Sequence, residues 1–188
     1  MLLTEVLYKK SNKNNPILLE CSEYLEESKG YPLFKNLPVE YDDIHKVKVR
    51  QRKRNDNFTK TFNEAFTEVP NLRQRSIFTN GEMTFIKEDG KREPFFIFPI
   101  NGYKYKYSPE VTNSKEDYQQ AFDVILEQID EPNVLKDILK YTYISENLSQ
   151  GISQGSEIIF YGIPYYYAVR VSSIDTYEQF VEKIKWNI

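Results

Sequence analysis

QGSEIIFYGIPYYYAV, residues 154–169, places one carboxylate, Glu157, at the head of a run that is otherwise apolar and aromatic. Gly162 and Pro164 divide the run, so it reads as a strand over 156–162, a turn, and a second strand over 165–173. Two readings of Glu157 follow. It ends a loop and points at water, or it is an acid group held rigidly at the mouth of a buried strand.

Working back along the chain, RSIFTNGEMTFIKEDGKREPFFIFPINGYKYKYS, residues 75–108, holds short β-rich runs separated by Asn-Gly, Asp-Gly and Asn-Gly turns. The first half is more helical. Ile17, Leu18, Cys21 and Leu25 share a face after Pro16, with Gly30 beyond the end. Phe58, Phe62, Ala65 and Phe66 line a second helical face. Between them, YPLFKNLP reads as a short strand carrying Lys35, and Val47 and Val49 alternate with basic residues in another. Ser114 caps a third helix over 114–129, Pro132 opens a fourth, and the chain ends in a helix or tail after Asp175. Helices lead and strands gather in the second half, the pattern of an α+β fold. At 188 residues, 1–188 is expected to be one domain.

The totals exclude several classes. A net charge of -3 gives no global pull towards nucleic acid or an acidic membrane. One Cys (Cys21) and one His (His45) cannot form a disulfide or a His/Cys zinc site, so no metal is expected. No run of about 18 apolar residues is available to span a membrane. The charges of MLLTEVLYKKSNKNN follow its short apolar stretch, the reverse of a secretory signal, so a cytoplasmic protein is expected. Neither G-x-G-x-x-G nor a Walker pattern occurs, which argues against Rossmann and P-loop enzymes. Asp42–Asp43 and Glu26–Glu27 are adjacent pairs and do not indicate a two-carboxylate hydrolase.

Charge is unevenly placed. Lys46, Lys48, Arg50, Arg52, Lys53 and Arg54 form a run without an acid. It could grip phosphates of a nucleic acid or a dinucleotide, or serve as a solvated strand edge protected from aggregation. Tyrosine is abundant, 15 residues against one Trp, and suits both a β core and a ligand pocket.

Three separated pieces, YPLFKN, RSIFTNG and SEIIFYGIPYYYAV, stand in an order that resembles the ADP-ribosyltransferase superfamily of the Arg–Ser–Glu type. Glu157 with Ile158, Ile159 and Phe160, then Tyr167-Ala168-Val169, looks like the late strand pair headed by the catalytic Glu. RSIFT looks like the Ser/Thr element, with Ser76 and Thr79 expected to alternate onto one strand face. The succession LFKN, VRQRKR, RSIFTNG and FPINGYKYKYSPEV is also similar to uncharacterised phage and bacterial proteins that look ADP-ribosyltransferase-like. Together these pieces cover about a quarter of the chain. Lys35 stands where the family has Arg, keeping the charge without the bidentate fork. Asn36 stands where it has Gly, and Gly155 where arginine-modifying members have Glu.

The resemblance implies a split β-sheet core with N-terminal and intervening helices, and cleavage of the nicotinamide–ribose bond of NAD. That reaction passes through an oxocarbenium-like transition state, which a fixed carboxylate stabilises as positive charge grows on the sugar. It implies Glu157 as the catalytic group and Ser76 and Thr79 as supports for Glu157 or the nicotinamide ribose. Lys35 with Arg50 or Arg52 would hold phosphates, and Phe78, Tyr103 or Tyr105 would stack on nicotinamide. The acceptor would be a macromolecule, with nucleic acid slightly preferred over protein because the Glu-x-Glu pair is missing and a basic strand is present. A small enzyme of this kind suits a phage effector or a toxin of a toxin–antitoxin or phage-defence system, which would require a neutralising antitoxin. The alternative is a small α+β binding protein without catalysis, which the Lys35 departure favours.

Overall fold

The computed structural model describes residues 15–53, 56–83, 90–114, 117 and 132–186. Within them seven strands form one antiparallel sheet, flanked by six α-helices. The strands are β1 (Phe34–Pro38), β2 (Ile44–Lys48), β3 (Ile77–Asn80), β4 (Arg92–Pro99), β5 (Lys104–Tyr107), β6 (Glu157–Tyr161) and β7 (Tyr165–Arg170). The helices are α1 (Pro16–Glu20), α2 (Ser22–Glu27), α3 (Asn57–Ala65), α4 (Pro132–Thr142), α5 (Leu148–Ser153) and α6 (Tyr177–Trp186). The strand order is β2-β7-β4-β1-β3-β6-β5. Among the described residues no helix is long and apolar enough to cross a membrane.

The sheet has a weak seam. β1 and β4 share a register from Phe34↔Phe96 to Pro38↔Arg92, whereas β1 meets β3 only at Phe34↔Asn80. From that point β1 and β3 part, leaving a four-stranded half (β2-β7-β4-β1) and a three-stranded half (β3-β6-β5). The α+β class expected from the sequence is present.

The short Gly-containing links do not make hairpins. Asn101-Gly102, with Gly102 at φ +82°, joins β4 to β5, yet β4 pairs with β1 and β7 while β5 pairs with β6. The link through Gly162, at φ +84°, likewise carries the chain from β6 in one half to β7 in the other. A positive-φ turn fixes only a local reversal; which strands then pair is decided by where the buried faces find partners. β6, buried at Glu157–Phe160, sits between β3 and β5, and β7, buried at Tyr166–Val169, sits between β2 and β4.

The single N-terminal helix expected after Pro16 is interrupted at Cys21. The β4–β5 turn supplies the cause. The Asn101 N–H donates to the Glu20 carbonyl at 2.6 Å and its side-chain amide donates to the Leu19 carbonyl at 3.3 Å. Both acceptors are thereby shared with the sheet. Pro16 sits at the start as expected, with Asn15 accepting from the Ile17 N–H. α2 and α6 pack on the four-stranded half, where Phe98 contacts the rings of Tyr24, Tyr177 and Phe180. α3 and α4 cover the three-stranded half, where Phe58, Phe62, Leu135 and Leu139 cluster with Ile159. The expected helix over 114–129 falls outside the described residues apart from Ser114 and Asp117. α5, for which the sequence pattern offered no expectation, packs Leu148 and Ile152 into the other cluster.

Candidate functional site at the sheet seam

β1, β3 and β6 carry the three sequence pieces that stood apart in the chain, and they come together at the seam. Lys35 projects from β1 and its Nζ donates to the Phe78 carbonyl of β3 at 2.6 Å, across the point where the halves separate. Glu157 begins β6 directly opposite Asn80, the last residue of β3.

Glu157 is buried, 8% exposed. Its backbone N–H donates to the Val111 carbonyl at 2.8 Å, and its Oε1 accepts from the Ser114 N–H at 3.2 Å. Ser114 Oγ in turn accepts from Arg73 Nη1 at 2.8 Å. Arg73 is only 3% exposed, and its guanidinium lies over the rings of Phe58, Phe62 and Phe78 at 4.6, 5.3 and 5.2 Å. Burial raises the Glu157 carboxyl above its ordinary value, while the Ser114 hydrogen bonds and the charges of Arg73 and Lys35 pull it back. The result is a desolvated acid group with a cation one hydroxyl away. Neither Arg73 nor Ser114 figured among the candidates. Spacing gives no hint that Arg73 meets a serine 41 positions later.

The other candidates divide. Thr79 Oγ1 donates to the Ile158 carbonyl at 3.2 Å and Ser76 Oγ to the Leu72 carbonyl at 2.5 Å, and both side chains are buried. They do not share a strand face. Ser76 precedes β3, and the two-residue period pairs Thr79 with Ile158 but Asn80 with Glu157, on opposite faces. Phe78 is half-buried, with Arg52 5.4 Å from its ring centroid and Arg73 on it as well. Tyr103 lies elsewhere, its hydroxyl donating to Glu27 on α2 at 2.6 Å. Tyr105 pairs with Phe160, on the face away from Glu157. His45 stacks on Tyr41 with ring centroids 4.1 Å apart.

Beside the seam lies a notch of about 520 Å³ whose lining includes Lys35, Lys48, Arg50, Arg52, Ser76 and Arg92 and, among the described residues, no Asp or Glu. The chain leaves β2 after Lys48. The Val49 N–H donates to the Pro164 carbonyl and the Arg52 N–H to the Gln74 carbonyl, both at 2.9 Å, which carries Arg50 and Arg52 from one half-sheet to the other. Tyr41 forms part of the wall, held because Arg170 pairs with Asp43 and Glu93 and donates to the carbonyls of Val39 and Tyr41. Lys46, by contrast, is engaged outside the notch, paired with Glu20 at 3.5 Å and 3.6 Å from the Tyr165 ring centroid. Thus Lys35, Arg50, Arg52 and Ser76 line one cavity, Glu157 lies outside its lining, and Lys35 is near enough for its charge to act on the Glu157 carboxyl. In a comparison with known proteins, no family model, no curated protein and no solved structure matches this chain.

Proposed function

We propose that this chain is an NAD-dependent ADP-ribosyltransferase with a divergent Arg–Ser–Glu arrangement, transferring ADP-ribose to a macromolecule. The observation that carries this reading is the meeting of Lys35, β3 and Glu157 where the two half-sheets part. In this reading Glu157 acts as the carboxylate that stabilises the oxocarbenium-like sugar, and its burial strengthens that interaction. Arg73 and Ser114 hold it in place. Lys35, Arg50 and Arg52 hold the pyrophosphate, and the split-sheet family fold accounts for the seam. Thr79 and Ser76, bonded to backbone carbonyls, orient the strands rather than touch the sugar. A role as phage effector or toxin, with a neutralising partner, accords with a small enzyme of this kind.

A second reading, a binding protein without catalysis, is favoured by one observation: Glu157 is buried and already accepts the Ser114 N–H. Nicotinamide release from NAD, measured with and without RNA, DNA and cell lysate, separates the two. The enzyme releases nicotinamide, and Glu157→Gln, which keeps the size but removes the charge, lowers the rate by a factor of a hundred or more, on the order of 3 kcal/mol of transition-state stabilisation. No release by the wild type under any of these conditions leaves the binding protein.

A further inference from the structure

Resting on the reading of Glu157 as the catalytic carboxylate, we propose that residues 111–114 form an autoinhibitory strap over it, latched by Asn80 and Asp117 and lifted when the sugar of the substrate enters. Burial creates the need for such a device. At 8% exposure Glu157 cannot meet a ribose hydroxyl in the closed chain. Yet the Ser114 N–H uses only one of the roughly four acceptor sites of a carboxylate.

Hydrogen bonds trace the strap from end to end. It starts at the Glu157 backbone, whose N–H donates to the Val111 carbonyl at 2.8 Å. It crosses to β3, where Asn80 Nδ2 donates to the Thr112 carbonyl at 2.6 Å. It returns to the Glu157 carboxyl, where the Ser114 N–H donates to Oε1 at 3.2 Å. Asn80 is the register partner of Glu157, so both side chains lie on one face of the sheet and the strap bridges them there.

The ends of the strap differ from its middle. Val111 and Ser114 are buried, whereas Thr112 and Asn113 are half-buried and belong to no strand or helix. The middle is held by Asn80 and by Asp117, whose Oδ2 accepts from the N–H groups of Thr112 and Asn113 at 3.0 and 2.9 Å. Asp117 is exposed and Asn80 half-buried, so on opening these groups exchange a protein partner for water at small net cost. Ser114 is bonded to Glu157 and also to Arg73, and stays. The strap therefore opens at Thr112 and Asn113 while the carboxyl keeps its orientation. Shielding the carboxyl until the sugar displaces the strap also limits wasteful hydrolysis of NAD.

The test is the chemical accessibility of Glu157 without NAD. The full chain is treated briefly with a water-soluble carbodiimide and glycine ethyl ester, and modification of each carboxyl is read by peptide mass spectrometry. In the wild type Glu157 should react more slowly than the exposed Glu110. Asn80→Ala removes the bond to Thr112 and should speed modification of Glu157 about fivefold, the equivalent of one neutral hydrogen bond. Asp117→Ala should act in the same direction. In both variants the amides of the β3–β6 pairing should stay protected from hydrogen exchange, because the opening is confined to the strap. Nicotinamide release at limiting NAD should rise in the same proportion, since more of the chain is competent to bind. Wild-type Glu157 that reacts as fast as Glu110, folded variants that react like the wild type, or modification that rises together with β3–β6 exchange would each overturn the strap. Release that stays level or falls while Glu157 becomes more accessible would overturn its inhibitory role. If Glu157 responds as described and no form releases nicotinamide, the enzymatic reading fails and the strap remains as a gate over the carboxyl.

Discussion

Glu157 is a carboxyl whose burial works against folding. Burial raises its carboxyl above the ordinary 4.5, so the folded chain holds that proton more tightly than the unfolded chain. As pH rises, the unfolded state releases it first. Stability therefore falls between pH 4.5 and the higher folded value, then levels off; below 4.5 both states are protonated and nothing is lost. Glu157→Gln lacks this penalty. Calorimetry should find its melting temperature above that of the wild type at pH 7, with the gain shrinking towards pH 4. A variant less stable than the wild type at pH 7 would mean that the charge of Arg73 outweighs desolvation. Groups held at such a cost cluster at functional sites, which accords with the role proposed for Glu157.

At the scale of elements, α5 is fitted to the sheet by two glycines. A Cβ on Gly81 would overlap the Ile152 carbonyl oxygen, and one on Gly151 would press on the Tyr107 ring at 2.7 Å. Backbone cannot move aside as a ring can, so Gly81→Ala should be the worse of the two. A loss of about 3 kcal/mol is expected in urea unfolding, against about 1 to 2 for Gly151→Ala. The sequence marked Asn80-Gly81 as a turn, which is a local property of those residues. It could not mark Gly81 as a site of close approach, because the opposing backbone belongs to a helix some seventy positions away. The same distinction explains the break at Cys21. Periodicity predicts one apolar helical face from Ile17 to Leu25, and the face exists, but Asn101 arrives from the sheet and takes carbonyls from the helix's first part.

For the whole molecule the seam is decisive. The two half-sheets share one register pair, Phe34↔Asn80, reinforced by the Lys35–Phe78 hydrogen bond. Lys35→Met preserves the apolar stem but removes the donor, and should reduce stability by about 2 kcal/mol, typical of a hydrogen bond to a charged group. Hydrogen exchange should report where. Amides of β1 and β3 near the junction should exchange faster, while those in the β4–β7 pairing should be affected less. Uniform acceleration would indicate that the halves unfold only together. Each strand pairing in the sheet joins segments distant in sequence, with no tight hairpin among the described residues, a topology that favours slow folding.

The sequence by itself determined the α+β class, the faces of the helices around Phe58 and Phe62, most of the strands, and the segregation of basic residues into one stretch. These are properties of spacing and composition, legible because an apolar period or a positive-φ turn acts within a few residues. Tertiary structure alone decided that β6 and β7 part into different half-sheets, that Arg73 reaches Glu157 through Ser114, and that Lys35 joins Arg50 and Arg52 in the lining of one notch. Each depends on segments tens of residues apart being brought together by burial of their apolar faces. The energy of that burial is non-directional and depends on area, so a pattern along the chain states that a face must be covered and leaves open which segment covers it.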